Sequence, residues 1–89
     1  MVQVNFTPNL QRHVTVPALT AAPGTLRSVL NEVFAVQPAL RSYVLDDQEA
    51  LRKHVSIFID GTQIADRRTL SDEVADGAEV WVMQALSGG

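Results

Sequence analysis

Val55-Ser56-Ile57-Phe58-Ile59, followed at once by Asp60-Gly61, is the most β-prone run of the chain and ends in a tight-turn signal. A short return strand at Gln63-Ile64 follows it. Downstream, Asp76-Gly77 punctuates a polar stretch, and Glu79-Val80-Trp81-Val82-Met83 reads as the last strand. Between the two, Ala65 to Asp76 has a single apolar anchor, Leu70, and Ser71-Asp72-Glu73-Val74 reads as a brief helical turn.

Upstream, the period changes from two to 3.6. Leu26, Val29, Leu30, Val33 and Phe34 form one apolar stripe, with Arg27, Ser28, Asn31 and Glu32 flanking it. Thr25 after Pro23-Gly24 is placed to cap this helix, and Pro38 biases Gln37 out of the helical region, ending it near Val36. An irregular connection follows, in which Leu40, Val44 and Leu45 dock one short helical turn and Asp46-Asp47-Gln48-Glu49 is solvated. At the start, Val2, Val4 and Phe6 alternate with Gln3 and Asn5 as a first strand, and His13-Val14-Thr15-Val16 reads as its hairpin partner. The first and last strands are strongly apolar, which favours central, parallel positions for both. The layout is α+β, a mixed sheet of four or five strands packed on one main helix.

Composition bounds the function. At 89 residues, with 46% hydrophobic and 19% charged, the chain is one ordered domain with a modest core. A net charge of −3, with Lys53 as the sole lysine, offers no footprint for nucleic acid. The absence of cysteine removes disulfides, thiolate nucleophiles and sulfur-ligated zinc. No basic region precedes a long apolar run at the start, and nowhere are about 18 apolar residues consecutive, so neither a secretory signal nor a membrane span is expected. The default location is the cytoplasm.

Gly24, Gly61 and Gly77 fall at expected turns, whereas Gly88-Gly89 has no turn to serve. Two residues without Cβ can lie extended in a channel too narrow for any side chain, which would then admit a carboxylate.

The helix after Gly24-Thr25, the segment Leu51 to Gly61, and the run Asp76-Gly77-Ala78-Glu79-Val80 leading to Ser87-Gly88-Gly89 together resemble the ubiquitin-like β-grasp family, in particular small sulfur carriers of the MoaD and ThiS type. Where such relatives often carry proline near the end of the last strand, this chain has Gln84. The resemblance implies a β-grasp domain over residues 1–85 and a flexible tail over 86–89. It implies a carrier rather than an enzyme: a ubiquitin-activating-like adenylyltransferase would spend ATP to adenylate the Gly89 carboxyl, and a sulfurtransferase or other sulfur donor would convert it to a thiocarboxylate. A sulfur-acceptor synthase, for molybdopterin, thiazole, cysteine or another metabolite, would receive the sulfur. Gly88 would permit close approach, and Leu86 and Ser87 would complete the inserted tail. The alternatives are a protein modifier conjugated through Gly89 and an interaction module with an inert tail.

Other side chains carry weaker signals. His13 and His54 lie in separate segments with neither a nucleophile nor metal-ligand spacing, and read as ordinary surface or strand-edge residues. Asp46, Asp47 and Glu49 lack the spaced ligands and glycine of a calcium loop, so no metal is expected. Ser87 is not a nucleophile elbow, since Ala85 stands where glycine is required. Phe58, Trp81 and Met83 alternate away from the valines beside them. They form either an open face for docking a partner or a second small core under the Ala65 to Val74 loop.

Overall fold

The computed structural model describes residues 1–6 and 19–84. Its organising element is the last strand, β7 (Glu79–Gln84), which lies in the middle of a five-stranded sheet. On one side β1 (Val2–Phe6) pairs with it in parallel, with Val4 opposite Val80 and Phe6 opposite Val82. On the other, β4 (Val55–Ile59) pairs antiparallel, with Ile57 opposite Val82. β2 (Leu19–Ala21) closes one edge against β1, and β5 (Thr62–Gln63) closes the other against β4. Because strand side chains alternate, this register gathers Val2, Val4, Val55, Ile57, Val80 and Val82, all fully buried, on a single face.

Helix α1 (Leu26–Val36) lays its stripe of Leu26, Val29, Leu30, Val33 and Phe34 on that face, and all five are buried. Each such side chain contributes about 1.5–3 kcal/mol on leaving water, so stripe and sheet face together are the main source of stability. This is the β-grasp arrangement that the resemblance implies. Asp60 and Gly61 both take left-handed φ, 50° and 84°, as a two-residue hairpin turn requires, and the return strand begins one residue earlier than expected. The hairpin partner of β1 within the described residues is Leu19–Ala21; the expected strand at His13–Val16 lies outside them.

Two segments differ from expectation. The connection after α1 contains a second helix, α2 (Ala39–Val44), of six residues, which buries Leu40 and Val44. Beyond it the Asp46 carboxylate accepts from the amides of Gln48 (2.8 Å) and Ala50 (3.1 Å), holding a turn in which Glu49 has φ 61°. The other correction concerns Ser71 to Val74, which is not a helical turn. Glu73–Val74 forms a strand, β6, that pairs antiparallel with β3 (Gly24–Thr25).

Side-chain acceptors explain this second difference. The Asp66 carboxylate takes the amides of Arg68 (3.1 Å) and Thr69 (3.0 Å) and the hydroxyls of Thr69 and Ser71, while Asp72 takes the amides of Ala65 (3.0 Å) and Asp66 (2.9 Å). Amides committed to carboxylates do not propagate a helix. Leu70, at φ 58°, then turns inward and is fully buried. The same loop completes the start of α1: the carbonyls of Asp72 and Leu70 accept from the amides of Leu26 (2.8 Å) and Arg27 (2.9 Å), and Thr25 Oγ1 accepts from Ser28 (3.2 Å). Three donors with no partner inside the helix are thereby satisfied.

Two tests follow from this loop. Leu70→Ala should lower the unfolding free energy by about 2–5 kcal/mol in urea titration, the usual range for a fully buried leucine. The hydroxyls of Ser71 and Thr69 and the Thr69 amide hold the Asp66 carboxyl well below the usual carboxylate range. The sign follows from linkage: the folded state favours the anion, so the contribution is complete above the unfolded value of about 3.9 and fades as pH falls below it. Thermal melts from pH 7 down to pH 2 should therefore show a shallower acid loss in Asp66→Asn than in the parent.

Candidate functional site

The face of the sheet opposite α1 follows from the same alternation. Glu79, Trp81 and Met83 project from β7 on the side away from Val80 and Val82. In register, Phe58 of β4 and Asn5 of β1 flank Trp81, while Ser56 sits beside Met83 and Gln3 beside Glu79. Phe58, Trp81 and Met83 are therefore brought together on adjacent rungs. Phe58 and Trp81 are half-buried, and Met83 is 36% exposed. Of the two readings open from the sequence, a second core under the Ala65 to Val74 loop is not what the described residues show. The Ala65 to Val74 loop packs on the helix side, where Leu70 and Val74 join the main core.

Two residues of this face were not singled out from the sequence. Glu79 Oε1 accepts from the Trp81 indole nitrogen at 2.8 Å, so the ring has its polar edge tied down and its apolar body left on the surface. The i, i+2 spacing on a strand was the available signal. Asn5 is the second: its side-chain nitrogen is buried beside β7 with no hydrogen-bond partner among the described residues. No local pattern marks Asn5, because its place next to Trp81 depends on pairing with a strand 76 residues later.

Of the tail residues expected to carry the chemistry, Leu86, Ser87, Gly88 and Gly89 lie outside the described residues, as does His13. What the structure places is the strand that leads to them. β7 is hydrogen-bonded on both sides, and its final residue Gln84 pairs with Val55. Lys53, exposed, and His54, half-buried, occupy the turn just before Val55 and so flank the end of β7. Among the described residues no three His, Asp or Glu side chains are grouped to hold a metal ion, and no helix is long and apolar enough to cross a membrane. A shallow depression of about 380 Å³ lies beside α2, lined by both signs of charge, and within it Arg41 is paired with Glu49.

An unpaired buried donor costs about 1–3 kcal/mol, and valine suits a strand better than asparagine. Asn5→Val should therefore raise stability by about 1 kcal/mol in denaturant titration. A loss of stability would mean that the amide is satisfied in solution.

A family model described as the ThiS family matches residues 9–89. No curated protein matches the sequence. Among solved structures, the BexX/CysO complex of Amycolatopsis orientalis contains a chain that is 20% identical, with full coverage of both chains and a TM-score of 0.84. Small archaeal modifier protein 1 of Methanosarcina acetivorans is 24% identical over 99% of this chain and 95% of its own, with a TM-score of 0.80. CysO of Mycobacterium tuberculosis is 21% identical over 97% of this chain and 100% of its own, also at 0.80. These likenesses agree with the mixed sheet and single long helix described above. With α1, β4, β7 and Gly88-Gly89 all inside the matched span, the chain belongs to the ThiS family, whose β-grasp fold is that of small ubiquitin-like sulfur carriers and modifiers.

Proposed function

We propose that the protein is a sulfur carrier, not itself an enzyme, whose Gly89 carboxyl is activated on a partner adenylyltransferase and becomes a thiocarboxylate. The observation that supports this most is that the family match runs through Gly88-Gly89, five residues beyond a β7 that is fixed on both sides. Five residues reach about 17 Å at full extension, far enough to place a carboxyl inside a partner's nucleotide site while the sheet stays outside.

The chemistry answers a leaving-group problem. Oxide cannot leave a carboxylate, so the Gly89 carboxylate attacks the α-phosphorus of ATP, pyrophosphate departs, and the acyl-adenylate can then expel AMP. The terminal sulfur of a donor persulfide makes the new C–S bond. A second thiol of the donor breaks the S–S bond, leaving the thiocarboxylate on Gly89 and a disulfide on the donor. This chain has no cysteine to intercept the activated terminus. Gly88 contributes the absence of a Cβ, and Phe58, Trp81 and Met83 are the surface against which the adenylyltransferase docks. The same thiocarboxylate then serves an acceptor synthase.

The second reading is a protein modifier, favoured by the likeness in fold to a small archaeal modifier protein. Product separates the two. Intact mass of the protein from its native cell should show a species heavier by about 16 Da that reacts with a thiocarboxylate-selective probe, which oxidised methionine of nearly equal mass gain would not. Conjugates on target lysines in place of that species would establish the modifier instead. Gly88→Trp should abolish adenylation, read by ATP–pyrophosphate exchange, while leaving stability within about 0.5 kcal/mol of the parent in urea titration, the sign of an intact core.

A further inference from the structure

An activated carboxyl becomes a stable amide when a primary amine attacks it. The chain's primary amines are the Met1 α-amine and the ε-amine of Lys53, its sole lysine, and the structure treats them differently. The Met1 ammonium donates to the Asp76 carboxylate at 2.5 Å, and its hydrogen bond and charge hold that carboxyl below the usual carboxylate range. An amine held in this way keeps its proton and has no lone pair to offer. Lys53 is exposed, and its ammonium is in no ion pair among the described residues. The segment around it, Leu51-Arg52-Lys53-His54-Val55, contains no acid.

The backbone that carries Lys53 is nevertheless fastened. The Val55 amide donates to the Arg52 carbonyl at 3.1 Å, closing the turn, and the Arg52 amide donates to the Val44 carbonyl at 3.0 Å. Arg67 donates to the carbonyls of Arg52 (2.7 Å) and Val55 (2.8 Å), and the Arg52 Nε donates to the Ser42 carbonyl at 2.8 Å. The turn is therefore stapled to α2 and to the 65–74 loop, while the lysine it presents is left to solvent. A nucleophile on a fixed turn meets a reacting partner with less loss of chain entropy than one on a loose segment.

Resting on the activation of Gly89, the step that the carrier and modifier readings share, we propose that Lys53 is the acceptor site for the activated terminus of a second copy of the chain. The neutral Lys53 Nζ attacks the carbonyl carbon of the Gly89 acyl-adenylate. The C–N bond forms, the C–O bond to the phosphate breaks, AMP leaves with the electron pair, and the amine proton passes to solvent. Transfer runs between copies. Lys53 is two residues from Val55, the partner of Gln84, so it stays near the end of β7, whereas a tail extended into a partner carries Gly89 about 17 Å away. Each copy has one donor and one such acceptor, so the product is a linear chain with a single kind of link. It is the fate of the activated carboxyl when no persulfide takes it.

The test incubates the protein with the ubiquitin-activating-like adenylyltransferase of the same organism and ATP, with no sulfur donor, and reads the products by denaturing gel and tryptic mass mapping. A covalent species of two copies less one water should accumulate. Trypsin does not cut at an acylated lysine, so the expected link is residues 53–67 joined through Lys53 to the terminus of residues 69–89. Lys53→Arg should remove that species while ATP–pyrophosphate exchange stays at the parent's rate, which shows that the variant is folded and still activated. The map of the parent decides independently of the variant: a link at Met1, or on a lysine of the enzyme, overturns the proposal. A dimer that persists in Lys53→Arg overturns it too. Exchange without any conjugate overturns it and leaves activation of Gly89 intact, whereas absence of exchange with the parent ends the carrier reading and this inference together.

Discussion

The pairing of β7 with strands on both sides is the constraint on which the molecule depends. The N-terminal hairpin contributes β1 and β2, and the second hairpin contributes β4 and β5, but these two units have no edge in common. Only β7, arriving after both, joins them, and in doing so it places Val80 and Val82 between Val4, Phe6 and Ile57. The apolar face that receives α1 is continuous only once that has happened. A sheet closed by contacts so distant in sequence has to meet its loop-closure entropy before the core rewards it, and the β1–β7 pairing carries the largest such cost in the sheet.

The loop from Ala65 to Val74 solves a separate problem with polar groups. Before its short strand β6 it crosses the start of α1 without regular structure, and four of its amides, those of Ala65, Asp66, Arg68 and Thr69, are satisfied by two of its own aspartates. Its carbonyls serve α1 in return, through the amides of Leu26 and Arg27 and through the Arg27 guanidinium, which donates to Arg68 and Thr69. Arg52 and Arg67 act in the same manner on the carbonyls of Ser42, Arg52 and Val55. Arginine here is a backbone staple, and its use explains how a domain without cysteine secures its irregular segments.

The contrast between what was and was not legible in the sequence follows from these two modes. β1, β4, β7 and α1 could be read because each repeats a hydrophobic period over five or more residues, and because Thr25, Pro38 and Asp60-Gly61 mark boundaries by local chemistry. The pairing of Glu73-Val74 with Gly24-Thr25 could not, since it depends on carboxylate acceptors and on left-handed φ at a leucine, neither of which has a period. For the site, alternation alone separated Phe58, Trp81 and Met83 from the valines, yet left open what covered them. Asn5 enters only through register. Gly88-Gly89 was legible as composition, because two glycines without a turn are conspicuous in any reading of the chain.

The parallel register of β1 and β7 also has a mechanical side. The start of β1 and the end of β7 lie at opposite ends of the same pair of strands, so tension applied between Val2 and Gln84 loads the hydrogen bonds between them all at once, in shear, instead of opening them one by one. An enzyme that grips residues beyond Gln84 and pulls, whether to thread them into a site or to withdraw them, meets a clamp and not a zipper.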